Sequence, residues 1–131
     1  MKKDIVIPEV KGVYIAVVNE YNDIYKTQDW NAYIINDNDI DLDMVLIVTG
    51  GYSKDKQTSV FRKKLDKLPK KSYAKIELMQ EELFALNNTF KVTYFAGNTM
   101  YDKTYLFRQN TINLKALQEV PLMQARGVLV K

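Results

Sequence analysis

The sequence predicts an all-β chain, an antiparallel β-sandwich of about six to eight strands with a short helical C-terminal segment. Three observations carry that prediction. Runs rich in β-branched and aromatic residues recur about every 8–15 residues, with Gly, Pro, Asn and Asp between them. Several runs alternate apolar and polar residues at the period of two that a half-buried strand requires. The length of 131 residues, 47% hydrophobic and 27% charged, suits one ordinary core, so residues 1–131 are read as one domain.

The first strand is Val13-Tyr14-Ile15-Ala16-Val17-Val18-Asn19-Glu20, preceded by Gly12 and followed by Asn22-Asp23. Trp30-Asn31-Ala32-Tyr33-Ile34-Ile35-Asn36 and Leu42-Asp43-Met44-Val45-Leu46-Ile47-Val48-Thr49 flank the turn-forming Asp37-Asn38-Asp39. They read as an antiparallel hairpin, its second strand ended by Gly50-Gly51. Thr58–Lys63 reads as a short edge strand whose lysines discourage pairing with other chains. Leu68–Ser72 is a turn.

In Tyr73–Met79, period two places Ala74, Ile76 and Leu78 on one face and Lys75 and Glu77 on the solvent face. Ile76, Met79, Leu83 and Leu86 also fit helical spacing. The strong alternation downstream favours a strand to Met79 and a helical turn over Gln80–Leu86. Thr89–Phe95 and Lys103–Arg108, with Gly97-Asn98 between, form a second hairpin. Asn113 can cap a short helix over Leu114–Glu119, and Pro121 ends it or starts another turn. Gly127–Val130 adds a last strand or an apolar plug. Central positions give the expected core as Val17, Ile34, Leu46, Ile76, Val92 and Leu106. Tyrosines 14, 33, 73, 94 and 105 are expected in the core or at its rim.

Chemistry is constrained by what the chain lacks. There is no histidine and no cysteine, which removes the commonest general base, the thiolate nucleophile and the usual transition-metal ligands. No carboxylate, lysine or serine constellation takes their place. The expectation is a non-enzymatic protein without catalytic residues, cofactor or metal. Asp37-Asn38-Asp39-Ile40-Asp41 matches only the first half of a calcium loop: Leu42 replaces the turn glycine and Val48 the bidentate glutamate. Gly50-Gly51-Tyr52-Ser53-Lys54 lacks the spacing of a phosphate loop. Glu81-Glu82 reads as a solvent face. No apolar run approaches the ~20 residues of a membrane span, and Met1–Glu9 has no apolar stretch behind its lysines, unlike a secretory signal. A cytoplasmic chain is expected.

The net charge of +3 conceals segregation. Segment 20–43 carries Glu20, Asp23, Asp29, Asp37, Asp39, Asp41 and Asp43 against Lys26 alone. Segment 54–75 is basic, and its candidate interaction surface is Lys54, Lys56, Arg62, Lys63, Lys64, Lys67, Lys70 and Lys71. If the two segments occupy different faces, a protein partner or a second copy of the chain can bridge them. The alternative partner is RNA, held by the lysines with Tyr52, Phe61 and Tyr73 stacking on unpaired bases.

Two resemblances add to this reading. Leu68-Pro69-Lys70-Lys71-Ser72-Tyr73-Ala74-Lys75-Ile76 resembles the turn-then-strand segment of immunoglobulin-like sandwich domains, which implies an immunoglobulin-like architecture. Glu9–Val18, Trp30–Asn36, Met44–Val48 and Phe90–Phe95 together resemble a small family of uncharacterised bacterial proteins of about this length. Some of these carry the label phenylalanyl-tRNA synthetase alpha subunit. That resemblance implies a link to translation or RNA. It implies no site residues, because Arg62, Arg108 and Arg126 form no ATP-holding pair.

Overall fold

The computed structural model describes residues 8–131. The stretch read as lacking a secretory signal lies, up to Ile7, outside the described residues. Among the described residues no helix is long and apolar enough to cross a membrane. The strands are β1 (Val13–Asn22), β2 (Thr27–Asn36), β3 (Leu42–Tyr52), β4 (Phe61–Leu68), β5 (Ser72–Met79), β6 (Asn87–Ala96), β7 (Thr99–Phe107), β8 (Gln118–Val120) and β9 (Ala125–Val130). They form two antiparallel sheets, ordered β5-β2-β1-β9-β8 and β4-β3-β6-β7. Among the described residues, nine strands exceed the expected six to eight, the extra one being the three-residue β8.

Both sheets turn apolar side chains into one core. Val13, Ile15, Val17, Ala32 and Ile34 face Leu42, Val45, Ile47, Phe90, Val92, Tyr105 and Phe107. Of the expected core, Val17, Ile34, Ile76 and Val92 are buried, whereas Leu46 is 38% exposed and Leu106 half-buried. The reason at Leu46 is a bulge. Met44 and Val45 together oppose the position of Tyr94, and Met44 adopts a left-handed φ of 49°. Val45 and Ile47 then face inward. In β7 the aromatic Tyr105 and Phe107 take the inner face, leaving Leu106 outside. Tyr94 and Tyr105 are core, and Tyr14 and Tyr33 pack on the far side of the first sheet over Ala16, Val18 and Ile35.

Three expectations are corrected. β2 and β3 are not a hairpin. β2 pairs with β1 and β5, and β3 pairs with β4 and β6, so residues 37–41 arch from one sheet to the other. Fully buried Asn36 builds that arch. Its Nδ2 faces the carbonyls of Ile40 at 2.9 Å, Pro69 at 3.0 Å and Leu68 at 3.2 Å, and its Oδ1 accepts from the Asn38 N–H. The C-terminal helix shrinks to one 3-10 turn, Leu114–Ala116, capped by Asn113 as expected. Gln118–Val120 extends instead, to pair with β9. Gly50-Gly51 does not end β3, which runs on to Tyr52.

The region 72–87 resolves as strand β5 followed by a 3-10 turn over Glu81–Ala85. The β6–β7 hairpin turns through Gly97 at φ 63°, as a two-residue connection with glycine first requires.

Candidate functional site

The basic segment does not form one patch. β4 is an edge strand whose eight residues spread over roughly 25 Å. Arg62, Lys64 and Lys67 pair with Val48, Leu46 and Asp43 on the outer face of the second sheet, while Lys63 lies opposite inward-facing Ile47. Lys54 and Lys56 sit in the loop beyond β3, at the end away from Lys70 and Lys71 in the β4–β5 turn.

The acidic and basic segments meet along one edge, so the condition of separate faces does not hold there. Lys71 lies 3.1 Å from Asp37 and 3.9 Å from Asp39. Lys67 lies 3.7 Å from Asp41 and 3.9 Å from Asp43. The Lys70 N–H donates to Asp41 at 2.9 Å. Asn36 causes this meeting by joining the β2–β3 arch to the β4–β5 turn. Such exposed pairs stabilise little, but they cancel charge where an anionic partner would need it. Tyr52, Phe61 and Tyr73 are all exposed, as a stacking platform requires. They do not share a face. Tyr73 packs edge-on against Tyr33 on the first sheet, and Phe61 lines a cavity between the sheets.

That cavity, about 280 Å³, is a feature the sequence reading missed. It is walled by Phe61, Met79, Leu83 and Phe90, with Thr49, Thr58 and Asn88 among its polar groups. Glu77 reaches it because of a second bulge. Ala32 pairs with Glu77 and Tyr33 with Lys75, so Ile76 is the extra residue. Strict alternation would put Glu77 outside and Leu78 inside. After the bulge Leu78 is 44% exposed, Met79 is buried, and Glu77 accepts from the Thr49 hydroxyl at 3.2 Å across the sheets. Bulges at sheet edges commonly re-aim a side chain in this way.

Burial raises the Glu77 carboxyl above its ordinary value, with the Thr49 hydrogen bond acting in the opposite direction. A carboxyl raised on folding contributes stability that is present below its unfolded value and lost as pH climbs through the folded value. Glu77→Gln has no such titration. The variant should match wild type at acidic pH and exceed it at neutral pH. Urea unfolding at several pH values checks this, and a constant offset between the two proteins would contradict it.

A second feature is the β1–β2 hairpin, whose tip carries Tyr21, Ile24 and Tyr25, the latter two 83% and 76% exposed. The tip is built rather than frayed. Asn22 Oδ1 accepts from the Ile24 and Tyr25 N–H groups at 3.0 and 3.1 Å, and its Nδ2 donates to Asp29. Beside the tip-side half of the hairpin, at Asn19, Gln28 and Trp30, lies an open groove of about 720 Å³, floored by Trp30, Phe84, Ile112 and Leu114, with Glu81 and Lys115 also lining it. Trp30 and Phe84 meet edge-to-face at 5.4 Å. Both features rest on tertiary placement. The one sequence signal is that Tyr21, Ile24 and Tyr25 flank the polar Asn22-Asp23 that follows the first strand.

Comparisons with family models, curated proteins and solved structures return no match for this chain.

Proposed function

We propose that the chain is a non-enzymatic, immunoglobulin-like interaction module of the cytosol that acts through protein contacts, its first partner a second copy of itself. The observation that carries this reading is the ordered apolar tip of the β1–β2 hairpin beside an apolar groove. Tip and groove complement each other in charge as well as polarity. The tip bears Asp23 and Lys26, and the groove bears Lys115 and Glu81. Insertion of each tip into the other copy's groove is a closed twofold exchange.

Strand order supports the immunoglobulin-like assignment. β1-β2-β5 opposite β4-β3-β6-β7 corresponds to strands A-B-E opposite C′-C-F-G, with β9 and β8 extending the first sheet beyond β1. The segments behind the resemblance to small bacterial proteins fall in or just before β1, β2, β3 and β6. They therefore support a shared core and no activity. The cytosolic placement rests on the cysteine-free sequence.

Sedimentation velocity across a concentration series tests the contact. Wild type should dimerise and Ile24→Asp should remain monomeric. Lys115→Glu should weaken the dimer, and Asp23→Lys added to it should restore it. A wild-type protein still monomeric at hundreds of micromolar would remove the self-contact. The RNA alternative is favoured by the exposure of Tyr52, Phe61 and Tyr73. It requires salt-dependent retention on RNA that Lys63, Lys64, Lys70 and Lys71 changed to Glu abolishes.

A further inference from the structure

The cavity behind β4 holds a carboxylate with no counter-charge. Of the side chains that line it, Glu77 alone is titratable; the others are Thr49, Thr58, Ser59, Asn88 and Thr89 or apolar. Among the described residues Glu77 forms no ion pair, and its side-chain hydrogen bond is the one from Thr49. A half-buried carboxylate in apolar walls, aimed inward by a bulge, is a costly arrangement when nothing neutralises it. The bulge is also the local irregularity that prevents Glu77 from facing water.

From this geometry we infer that the cavity is a binding site for a primary alkylammonium group, the ammonium on Glu77 and the alkyl tail against Phe61, Met79, Leu83 and Phe90.

Three features select that ligand class. Thr49 already donates to Oε2 at 3.2 Å, so Oε1 is the less engaged carboxylate oxygen. Oε1 is left for a single compact donor, which an ammonium supplies. Asn88 Nδ2 is committed to the Leu83 and Leu86 carbonyls at 2.9 and 3.2 Å. That leaves Asn88 Oδ1, which faces Gly51, as a further acceptor. The volume of about 280 Å³ is below that of drug-sized pockets and fits a short unbranched chain. Gly51 keeps the space open. A Cβ on Gly51 would come within 3.1 Å of Asn88 Oδ1 and 3.3 Å of both Leu86 and Thr58. Exposed Ser59 and Phe61 mark the entrance, and the Phe61 ring can meet an entering cation with its face.

A free small amine and the lysine side chain of a peptide present the same chemistry. Both are tested by titrating the full chain, with the Glu77 side-chain carboxyl followed by carbon-13 NMR and the amides of Gly50, Gly51 and Thr58 alongside. The probes are n-butylammonium chloride, a capped Ala-Lys-Ala peptide, and n-butanol as the neutral isostere. Saturable shifts with n-butylammonium are expected, with at least about tenfold weaker binding for n-butanol and for Glu77→Gln. A peptide that binds more tightly than n-butylammonium identifies a lysine side chain as the source, and the reverse order identifies a free amine. Binding of n-butanol or binding by Glu77→Gln at wild-type strength overturns the site, as does a Glu77 carbon unmoved by either cation. Should Glu77→Gln fail to fold, the wild-type Glu77 carbon alone decides. The experiment is independent of the hairpin contact, because Ile24→Asp should bind n-butylammonium as wild type does.

Discussion

Tyr105→Ala should cost ~3–5 kcal/mol, the range for emptying a buried aromatic site. Tyr105 is 1% exposed and stands in β7, and its hydroxyl donates to the Val13 carbonyl of β1. It therefore fastens one sheet to the other through a bond between residues 92 positions apart. Burial also pushes its hydroxyl well above the ordinary tyrosine value, so it remains a donor at any working pH. Tyr105→Phe separates packing from hydrogen bonding. It keeps the ring and should cost ~1–3 kcal/mol for the unpaired carbonyl. Urea unfolding of both variants checks the pair. A Tyr105→Phe loss as large as that of Tyr105→Ala would mean that the ring contributes nothing, contrary to its burial against the core.

The second large effect is expected at Gly127. It pairs with Val18 of β1 on one side and Gln118 of β8 on the other. A Cβ there would lie 2.8 Å from the Val17 carbonyl oxygen, 3.0 Å from Val18 Cγ2 and 3.2 Å from Val120 Cγ2. The nearest atom is backbone and cannot swing aside, so the strands themselves must part. Gly127→Ala should destabilise by ~1–3 kcal/mol through overpacking, and Gly127→Val by more. Hydrogen exchange should show the loss first at the β1–β9 ladder. Gly97→Ala is a useful contrast: nothing lies within 4 Å of its Cβ, and its strain comes from φ alone. Unchanged β1–β9 protection in Gly127→Ala would refute the close approach.

Much of this fold was legible because strands report themselves locally. Val13–Glu20, Thr89–Phe95 and Lys103–Arg108 combine β-branched content with alternation, and all three lie in strands save Arg108, one residue past β7. Glycine at Gly97 and the cap at Asn113 also act through neighbouring residues. Pairing is a different matter. Nothing near Asp37-Asn38-Asp39 reveals that Asn36 reaches Leu68 and Pro69, thirty-odd positions away, and that reach separates an arch from a hairpin. The two bulges were hidden for a related reason. Met44–Val48 is apolar throughout, so sequence cannot mark its inner face, and a shift at Ile76 leaves a pattern that still alternates. The site follows the bulges. Glu77 looks solvent-facing by count and becomes interior only when β5 slips by one residue against β2.

The placement of β9 sets an order of assembly. β9 lies between β1 and β8, and its register with β1 joins Ile15 to Val130. While the polypeptide is being made, β1 and β2 can meet as soon as both have emerged, but the other flank of β1 must wait for β9. During that interval Ala16, Val17 and Val18 border an open ladder of backbone donors and acceptors, the kind of edge to which foreign strands add. A nascent chain stalled before Ala125 would thus present a sticky flank where the finished protein has an interior strand.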